Sequence, residues 1–600
     1  MTDELTVDFE PLGRRARVVQ GTTLLEAARQ AGVGLNGVCG GAGTCGTCRV
    51  RVVAGEVSPP AEAERDAVAD GLRLACQTHV LSNVRVDVPP ASITALQRAQ
   101  IEGRERPVEL DPAVRSFDVA LVPAGLTDLL PDATRLRKAL HQQRDVTADR
   151  FDHAALCQLP TLLRKNEWHI RAVVRSDEVI AVAPVGTSSL GLAVDIGTTK
   201  LAAYLVDLES GETLAAAGAM NPQIAYGEDV MARISYAMAG EDHAWELQHV
   251  LIGGLDDLAR ELCAQAGCER AEIVEAVLVG NTCMHHLALG LPVAQLGLAP
   301  YVPALADSYD LKARELGLRL ASGASVHLLP NIAGFVGADH VAMLLATGLY
   351  EASEVTLGLD IGTNTESSLA AEGRLLSCSC ASGPAFEGAH IQDGMRAAPG
   401  AIERVRLVDE RVEYQTIDGA PPVGICGSGV LDSVAQLRRA DVLRANGGMV
   451  PGSHPRVRGR GKEIEFLLVP AGERGAPRDI AITRKDVSEI QLAKAAIRAG
   501  IEVLLGEAGL EAEQVERVVV AGAFGTYLDV DSALAVGVLP PLPRERFVQV
   551  GNAAGMGAKL ALLSRRCREL AEEIARRVEY VELTTHPRFV EEYVAALMLP

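Results

Sequence analysis

Four cysteines near the start of the chain constrain it more than any other feature. Cys39, Cys45 and Cys48 are separated by five and then two residues, and Cys76 follows after 27 intervening residues. Three thiols on one short loop with a fourth further on form a ligand set for a 2Fe–2S cluster. The intervening glycines Gly40, Gly41, Gly43 and Gly46 have a physical task. A loop wrapped around a cluster must turn its N–H groups toward sulfur, through dihedrals that glycine adopts cheaply. Structural zinc is the competing reading, but zinc ribbons use two short cysteine pairs rather than three ligands plus one. Cys39, Cys45, Cys48 and Cys76 are therefore assigned as metal ligands, and the chain is expected to move electrons.

At 600 residues the chain exceeds what one core can organise, so several domains are expected. Hydrophobic residues make up 48% and charged residues 22%, an ordinary globular balance. No run reaches the roughly 18 apolar residues of a membrane span. The acidic start Met1-Thr2-Asp3-Glu4 lacks the apolar core of a secretory signal. A cytoplasmic protein with no membrane partner is expected. A net charge of −21 argues against nucleic acid, which attracts basic surfaces. The other eight of the twelve cysteines are scattered through apolar or glycine-rich stretches and read as small buried hydrophobes.

Residues 4–10 alternate as a strand, 15–19 read as its hairpin partner, and 22–30 begin with capping residues and continue with helical spacing. Two further strands, 49–53 and 84–88, follow the cysteine loop. This order resembles the β-grasp ferredoxins, and plant-type cysteine spacing differs only by one residue in the first gap. The ferredoxin-like domain is placed at 1–91. A polar linker is expected at 92–114, then a small α/β middle domain at 115–188. That domain should contain a strand at 119–122, a helix at 134–141 and strands at 169–175 and 179–183. It shows no catalytic constellation and reads as a spacer or docking domain.

The remainder, 189–600, contains an internal echo. Asp195-Ile196-Gly197-Thr198-Thr199 recurs 165 residues later as Asp360-Ile361-Gly362-Thr363-Asn364. Each copy ends an apolar strand and precedes another, and so long a period indicates duplicated halves, the second from about 355. Glycine and threonine at such a turn offer N–H and hydroxyl groups to phosphate oxygens. The aspartate before each turn can hold a hydrated Mg2+. Two facing turns would clamp the phosphates of a nucleotide. Gly522-Ala523-Phe524-Gly525, after the buried run 518–521, is suited to passing over a nucleoside. Gly427-Ser428-Gly429 at a helix start is a second anion seat. Gln491, Lys494 and Arg498 share one helix face, and the first two are candidate adenosine contacts. The hydrolytic acid–base group is not readable, with Glu366 and Glu387 as the candidates. His285 and His286 read as packing residues rather than a metal pair.

This set resembles the acetate and sugar kinase, heat-shock chaperone and actin superfamily. The resemblance implies two ribonuclease-H-like halves around an ATP cleft. Joined to the cysteine domain, it resembles one family over essentially its full length, the reductive activators of corrinoid proteins. Residues 221–230, 279–287, 329–337, 382–389 and 491–497 extend the likeness beyond what an ATPase needs. The expected fold class is thus multidomain α+β and α/β: a β-grasp 2Fe–2S ferredoxin domain, a small α/β middle domain and a duplicated actin-like ATPase domain. The implied activity is ATP-dependent transfer of one electron from the 2Fe–2S cluster to cobalt(II), regenerating cobalt(I). Implied partners are a corrinoid protein, a low-potential donor such as ferredoxin or flavodoxin, and a second copy of the chain as a homodimer. Rival readings are a 2-hydroxyacyl-CoA dehydratase-type activator, in which Cys426 would supply one thiolate, a redox-sensing small-molecule kinase, and a redox-gated chaperone-like module.

Overall fold

The computed structural model describes residues 4–10, 14–31, 33, 35, 41–43, 46, 48–69, 71–88, 92, 103, 106–408 and 410–600. Cys39 and Cys45 lie outside the described residues. The chain divides into two compact units. One comprises Met1–Leu96, Met220–Gly254 and His286–Val302; the other comprises Gln97–Ala219, Leu255–His285 and Pro303–Pro600.

In the first unit, strands Arg14–Val19, Glu4–Glu10, Val84–Asp87, Arg49–Ala54 and Arg73–Leu74 form a five-stranded sheet in that order. Glu4–Glu10 runs antiparallel to its hairpin partner but parallel to Val84–Asp87, the mixed pairing of a β-grasp. Helix Leu24–Gln30 begins at Thr23, whose side chain accepts from the Glu26 N–H. Leu24, Ala27 and Ala28 join Val7, Phe9, Val50 and Val86 in one core. Burial of these apolar chains is the main stabilising term.

The segment 221–230 belongs to the same unit. Asn221 caps a short turn by accepting from the Gln223 N–H, 3.0 Å. Gln223 in turn donates to the Leu247 carbonyl, 3.0 Å. The fully buried Arg233 donates to the Gly227 carbonyl, 2.9 Å, and to Gln223 Oε1, 3.2 Å. Arg29 of the ferredoxin-like helix lies over the Tyr226 ring at 4.1 Å.

The second unit carries two sheets of equivalent order. In the first, Thr213–Met220, Lys200–Asp207, Leu190–Ile196, Ile273–Gly280 and Ser325–Leu328 are neighbours in that sequence, with Tyr309–Lys312 at the edge. In the second, Arg374–Cys380, Thr365–Ala371, Thr356–Ile361, Arg517–Ala521 and Phe547–Gly551 repeat it, with Glu579–Tyr580 added outside. In both, the strand ending in the duplicated aspartate pairs antiparallel with the next strand and parallel with a distant one. Crossover helices cover the parallel pairs, so these strands are buried on both faces, which accounts for their continuous apolar runs. The duplicated ribonuclease-H-like architecture is present.

The middle domain is a four-stranded sheet in the order Val114–Ala120, His169–Arg175, Glu178–Ala183 and Arg150–Phe151, with helices Asp132–Arg144 and His153–Lys165. Two expectations need correction. The first strand begins at Val114 and ends at Ala120 rather than spanning 119–122, and Val122 is 71% exposed beyond it. Helix His153–Lys165 was not anticipated. Pro160 reads as a breaker in sequence, yet it sits inside the helix, whose Ala155, Leu159 and Leu163 join the core.

Candidate functional site

The two duplicated turns face one cleft in the second unit. Gly197, Thr198 and Thr199 line it from one half, and Gly362, Thr363 and Asn364 from the other. Each turn joins the two strands of an antiparallel pair, which fixes its direction. A Cβ at Gly197 would lie 2.7 Å from the Lys200 carbonyl oxygen, so the hairpin closes only around glycine. The turns are tied together through Glu387. It accepts from Thr199 Oγ1 at 3.1 Å and from Thr363 Oγ1 at 2.9 Å, and the two hydroxyls are 3.3 Å apart.

Four carboxyl groups, Asp195, Asp339, Asp360 and Glu366, converge on the cleft. Burial raises Asp195 to about 6, opposed by the amide of Asn552, which donates to its Oδ2 at 3.0 Å. Burial first, and the charge of Asp195 second, raise Asp360 to about 7. Asp339 is pushed well above the carboxylate range by burial and by Asp195 and Asp360. Glu366 is raised in the same way, by burial and by Asp339 and Asp360, while a 3.2 Å bond from Ser379 works against the rise. A cation sharing the site would favour the ionised form of all four acids and draw their protons off at lower pH. Among the described residues, no three His, Cys, Asp or Glu side chains close around a bare metal ion. Mg2+ keeps several of its waters and needs few direct carboxylates, and the cleft offers acids beside the phosphate turns. The donor set therefore fits a hydrated Mg2+ between phosphates and acids.

Most sequence candidates meet here: Asp195, Asp360, Glu366, Glu387, both turns, Gly427, Ser428, Gly522 and Phe524 all line the cleft. Gly522 has φ +90°, and a Cβ on it would lie 2.5 Å from Asp360 Oδ1, which explains the glycine after the buried strand. Phe524 stacks on Phe386 with centroids 5.1 Å apart. Gly429 lies one step inside helix Gly427–Arg439 and packs toward the Ile402 carbonyl. Ala523 lies in helix Gly522–Tyr527. Gly525 packs on Val520, and its carbonyl accepts from Gln549. Gln491 and Lys494 are not among the lining residues. They donate to the carbonyls of Leu597 and Met598 at the C-terminus, 2.7 and 2.5 Å. Cys426 caps a helix and lies against the Ile402 carbonyl, 3.3 Å.

The structure adds residues the motifs did not single out as ligands. Asp339 opens helix Ala338–Thr347. Asn281 donates to Thr198 Oγ1 at 2.9 Å and accepts from the Met284 N–H at 3.0 Å, so it both holds a phosphate turn and caps a helix. Thr282 Oγ1 donates to the Ala333 carbonyl, 2.6 Å, and Asn331 accepts from the Ala338 N–H, 3.1 Å. These bonds show why 279–287 and 329–337 are distinctive: together they set Asn281 and Asp339 at the cleft. His285 and His286 in that helix are buried.

In the ferredoxin-like sheet, the Ala75 N–H donates to the Cys48 carbonyl, 2.8 Å, just beyond the Arg49–Leu74 pair. This brings the third and fourth cysteines onto adjoining backbone. Both are buried. Gly41, Gly43 and Gly46 have φ of +99°, +77° and +67°, the left-handed geometry a cluster loop demands. The residues described fit a 2Fe–2S ligand loop.

Comparison with known proteins agrees along the whole chain. Residues 7–81 match the 2Fe–2S iron–sulfur cluster binding domain, 103–189 the RACo linker region, 190–352 the RACo middle region and 354–600 the C-terminal ASKHA domain of RACo. The corrinoid activation enzyme RamQ of Eubacterium limosum is 32% identical over 611 residues, covering 99% of each chain. The [Co(II) methylated amine-specific corrinoid protein] reductase of Methanosarcina barkeri is 28% identical over 68% of this chain and 76% of its own. A solved structure of a reductive activator for corrinoid, iron–sulfur protein is 36% identical, with TM-score 0.75, over 100% of this chain and 98% of that one. A cluster loop, a duplicated acidic cleft and full-length similarity together show that this chain belongs to the RACo family of corrinoid activators.

Proposed function

We propose that this protein is an ATP-dependent reductive activator. It passes one electron from a 2Fe–2S cluster to the cobalt(II) of a corrinoid protein and so regenerates cobalt(I). One observation carries the reading: a single chain of the RACo family joins the cysteine loop ending at Cys76 to a cleft where Asp195 and Asp360 head two facing turns. The cluster supplies one electron near about −400 mV, and each ~100 mV of shortfall against the acceptor costs about 2.3 kcal/mol. Cleft residues can offset that cost only by holding two states of the complex with different affinity for nucleotide. Closure of the cleft would then change the grip on the corrinoid protein and favour cobalt reduction.

Each candidate residue has a role in this reading. Thr198, Thr199, Thr363 and Asn364, with the Gly197 and Gly362 amides, would take the phosphates. Asp195 and Asp360 would hold the waters of Mg2+, joined by Asp339. Glu366 and Glu387 are the candidate proton acceptors for hydrolysis. Gly427, Ser428 and Gly429 would seat an anion at their helix start, and Gly522, Ala523, Phe524 and Gly525 would pass beside the nucleoside. Gln491 and Lys494 complete the adenosine side, where ribose hydroxyls would compete with the Leu597 and Met598 carbonyls for their donors. Cys39, Cys45, Cys48 and Cys76 are the proposed cluster ligands. The domain division proposed is 1–91, 92–114, 115–188 and 189–600. The reading includes a cytoplasmic homodimer charged by a ferredoxin or flavodoxin.

The test is an anaerobic mixture of the purified protein, a reductant and a cobalt(II) corrinoid protein, followed by cobalt(I) absorbance. Cobalt(I) should form with MgATP and fail to form without it. Equal yields in both arms would exclude the coupling.

A further inference from the structure

The side chain of Gln77, directly after the fourth cysteine, is enclosed in a way the cluster ligands alone do not explain. Its Nε2 lies 2.8 Å from the Gly41 carbonyl on the cysteine loop, 3.6 Å from Cys76 Sγ and 3.3 Å from the Cys76 carbonyl. All three neighbours accept, so the NH2 and not the amide oxygen must face them. Its two protons can serve the loop carbonyl and the sulfur at once.

The surroundings are built for this amide. The turn that carries it is fixed from beneath by Glu64, which is 0% exposed. That carboxylate accepts from the Leu74 N–H at 3.0 Å, Thr78 Oγ1 at 3.0 Å and Arg73 Nε at 2.9 Å. Thr78 Oγ1 also lies 2.9 Å from the Leu74 carbonyl, sharing its one proton between the two acceptors, and the Gln77 N–H closes the turn onto the same oxygen, 2.9 Å. On the loop side, a Cβ at Gly43 would lie 2.9 Å from Gln77 Cδ and 3.1 Å from Nε2. Glycine at 43 is therefore required twice, by its φ of +77° and by the space the amide fills.

We propose that Gln77 is the positioning residue that sets the potential of the cluster, by donating one N–H to the Cys76 sulfur and the other to the Gly41 carbonyl. This rests on the reading of the four cysteines as 2Fe–2S ligands. Reduction adds one negative charge that spreads onto the ligand sulfurs. An N–H donor at one of them stabilises the reduced form more than the oxidised form and raises the potential. The bond to Gly41 keeps the donor in place by tying the loop to the ligand strand. An outer-shell partner of this kind governs how readily an external donor can charge the cluster, separately from how the corrinoid protein is recognised.

The experiment uses the full chain, purified anaerobically as wild type, Gln77→Leu and Gln77→Glu. Iron and sulfide are assayed, and a mediated dithionite titration is followed by electron paramagnetic resonance. Gln77→Leu should lower the midpoint by a three- to tenfold change in the one-electron equilibrium, tenfold corresponding to about 59 mV. Gln77→Glu has the same shape but adds charge, and should lower it further. Loss of iron from Gln77→Glu at an unchanged melting temperature would support the bracing bond to Gly41. An unchanged or raised midpoint in both loaded variants would overturn the proposal while leaving the cluster reading intact. A wild-type protein without iron and sulfide would remove both.

Discussion

Asp195 and Asp360 keep their protons to about pH 6 and 7, whereas an aspartate in an unfolded chain releases its proton near pH 3.9. Between those limits the native state binds more protons than the unfolded state, so stability falls as pH rises. For the fully buried Asp195 the loss is about 3 kcal/mol. Nucleotide-free protein should melt at a lower temperature at pH 8 than at pH 5 in the absence of Mg2+. Added Mg2+ should reduce the difference, and the double variant Asp195→Asn, Asp360→Asn should shrink it, with buried Asp339 and Glu366 carrying what remains. Calorimetry across that range checks the sign. Asn552 supports Asp195 from the side, so Asn552→Leu should weaken MgATP binding about 10- to 100-fold, as titration calorimetry would show. The duplicated aspartates and threonines were legible because each turn is local in sequence. Asp339, Asn281 and Asn552 were not. They reach the cleft from helix starts far along the chain, and nothing in their own flanking residues says which strand end they will meet. Gln491 and Lys494 were legible as one face of a helix, but spacing could not say that the C-terminal carbonyls would cover that face.

At the level of elements, the crossing of 279–287 with 329–337 has no slack. A Cβ on Gly337 would lie 2.5 Å from the Asn281 Cα and 2.6 Å from the Gly280 carbonyl. Both are backbone, so the strain cannot be relieved by a rotamer change. Gly337→Ala should destabilise the second unit by about 1–3 kcal/mol and shift Asn281 away from Thr198. Loss of nucleotide binding with an intact iron–sulfur absorption would be the expected pair of readings. In the ferredoxin-like domain four strands and the helix were legible from alternation and capping, but their order in the sheet and the short strand Arg73–Leu74 were not. In the middle domain helix His153–Lys165 went unread; Ala155, Leu159 and Leu163 bury one of its faces, which carries the helix through Pro160.

Across the molecule, the cluster domain and the second ATPase half each enclose a core of their own, around Phe9 and Val86 in one and Phe386 and Ile497 in the other. Separate cores allow each module to keep its chemistry when the other changes state. MgATP should therefore leave the cluster midpoint unmoved while increasing the yield of cobalt(I), a contrast that parallel titrations with and without nucleotide would read. The two Thr hydroxyls that clasp Glu387 bear on the order of events. A carboxylate occupies the place where phosphate oxygens would accept those same protons. A lone anion would find those hydroxyl protons already taken, whereas a cation would favour the ionised form of the surrounding acids. On this geometry Mg2+ should enter ahead of, or together with, the triphosphate, and free inorganic phosphate should bind weakly, which titration calorimetry with each order of addition would check.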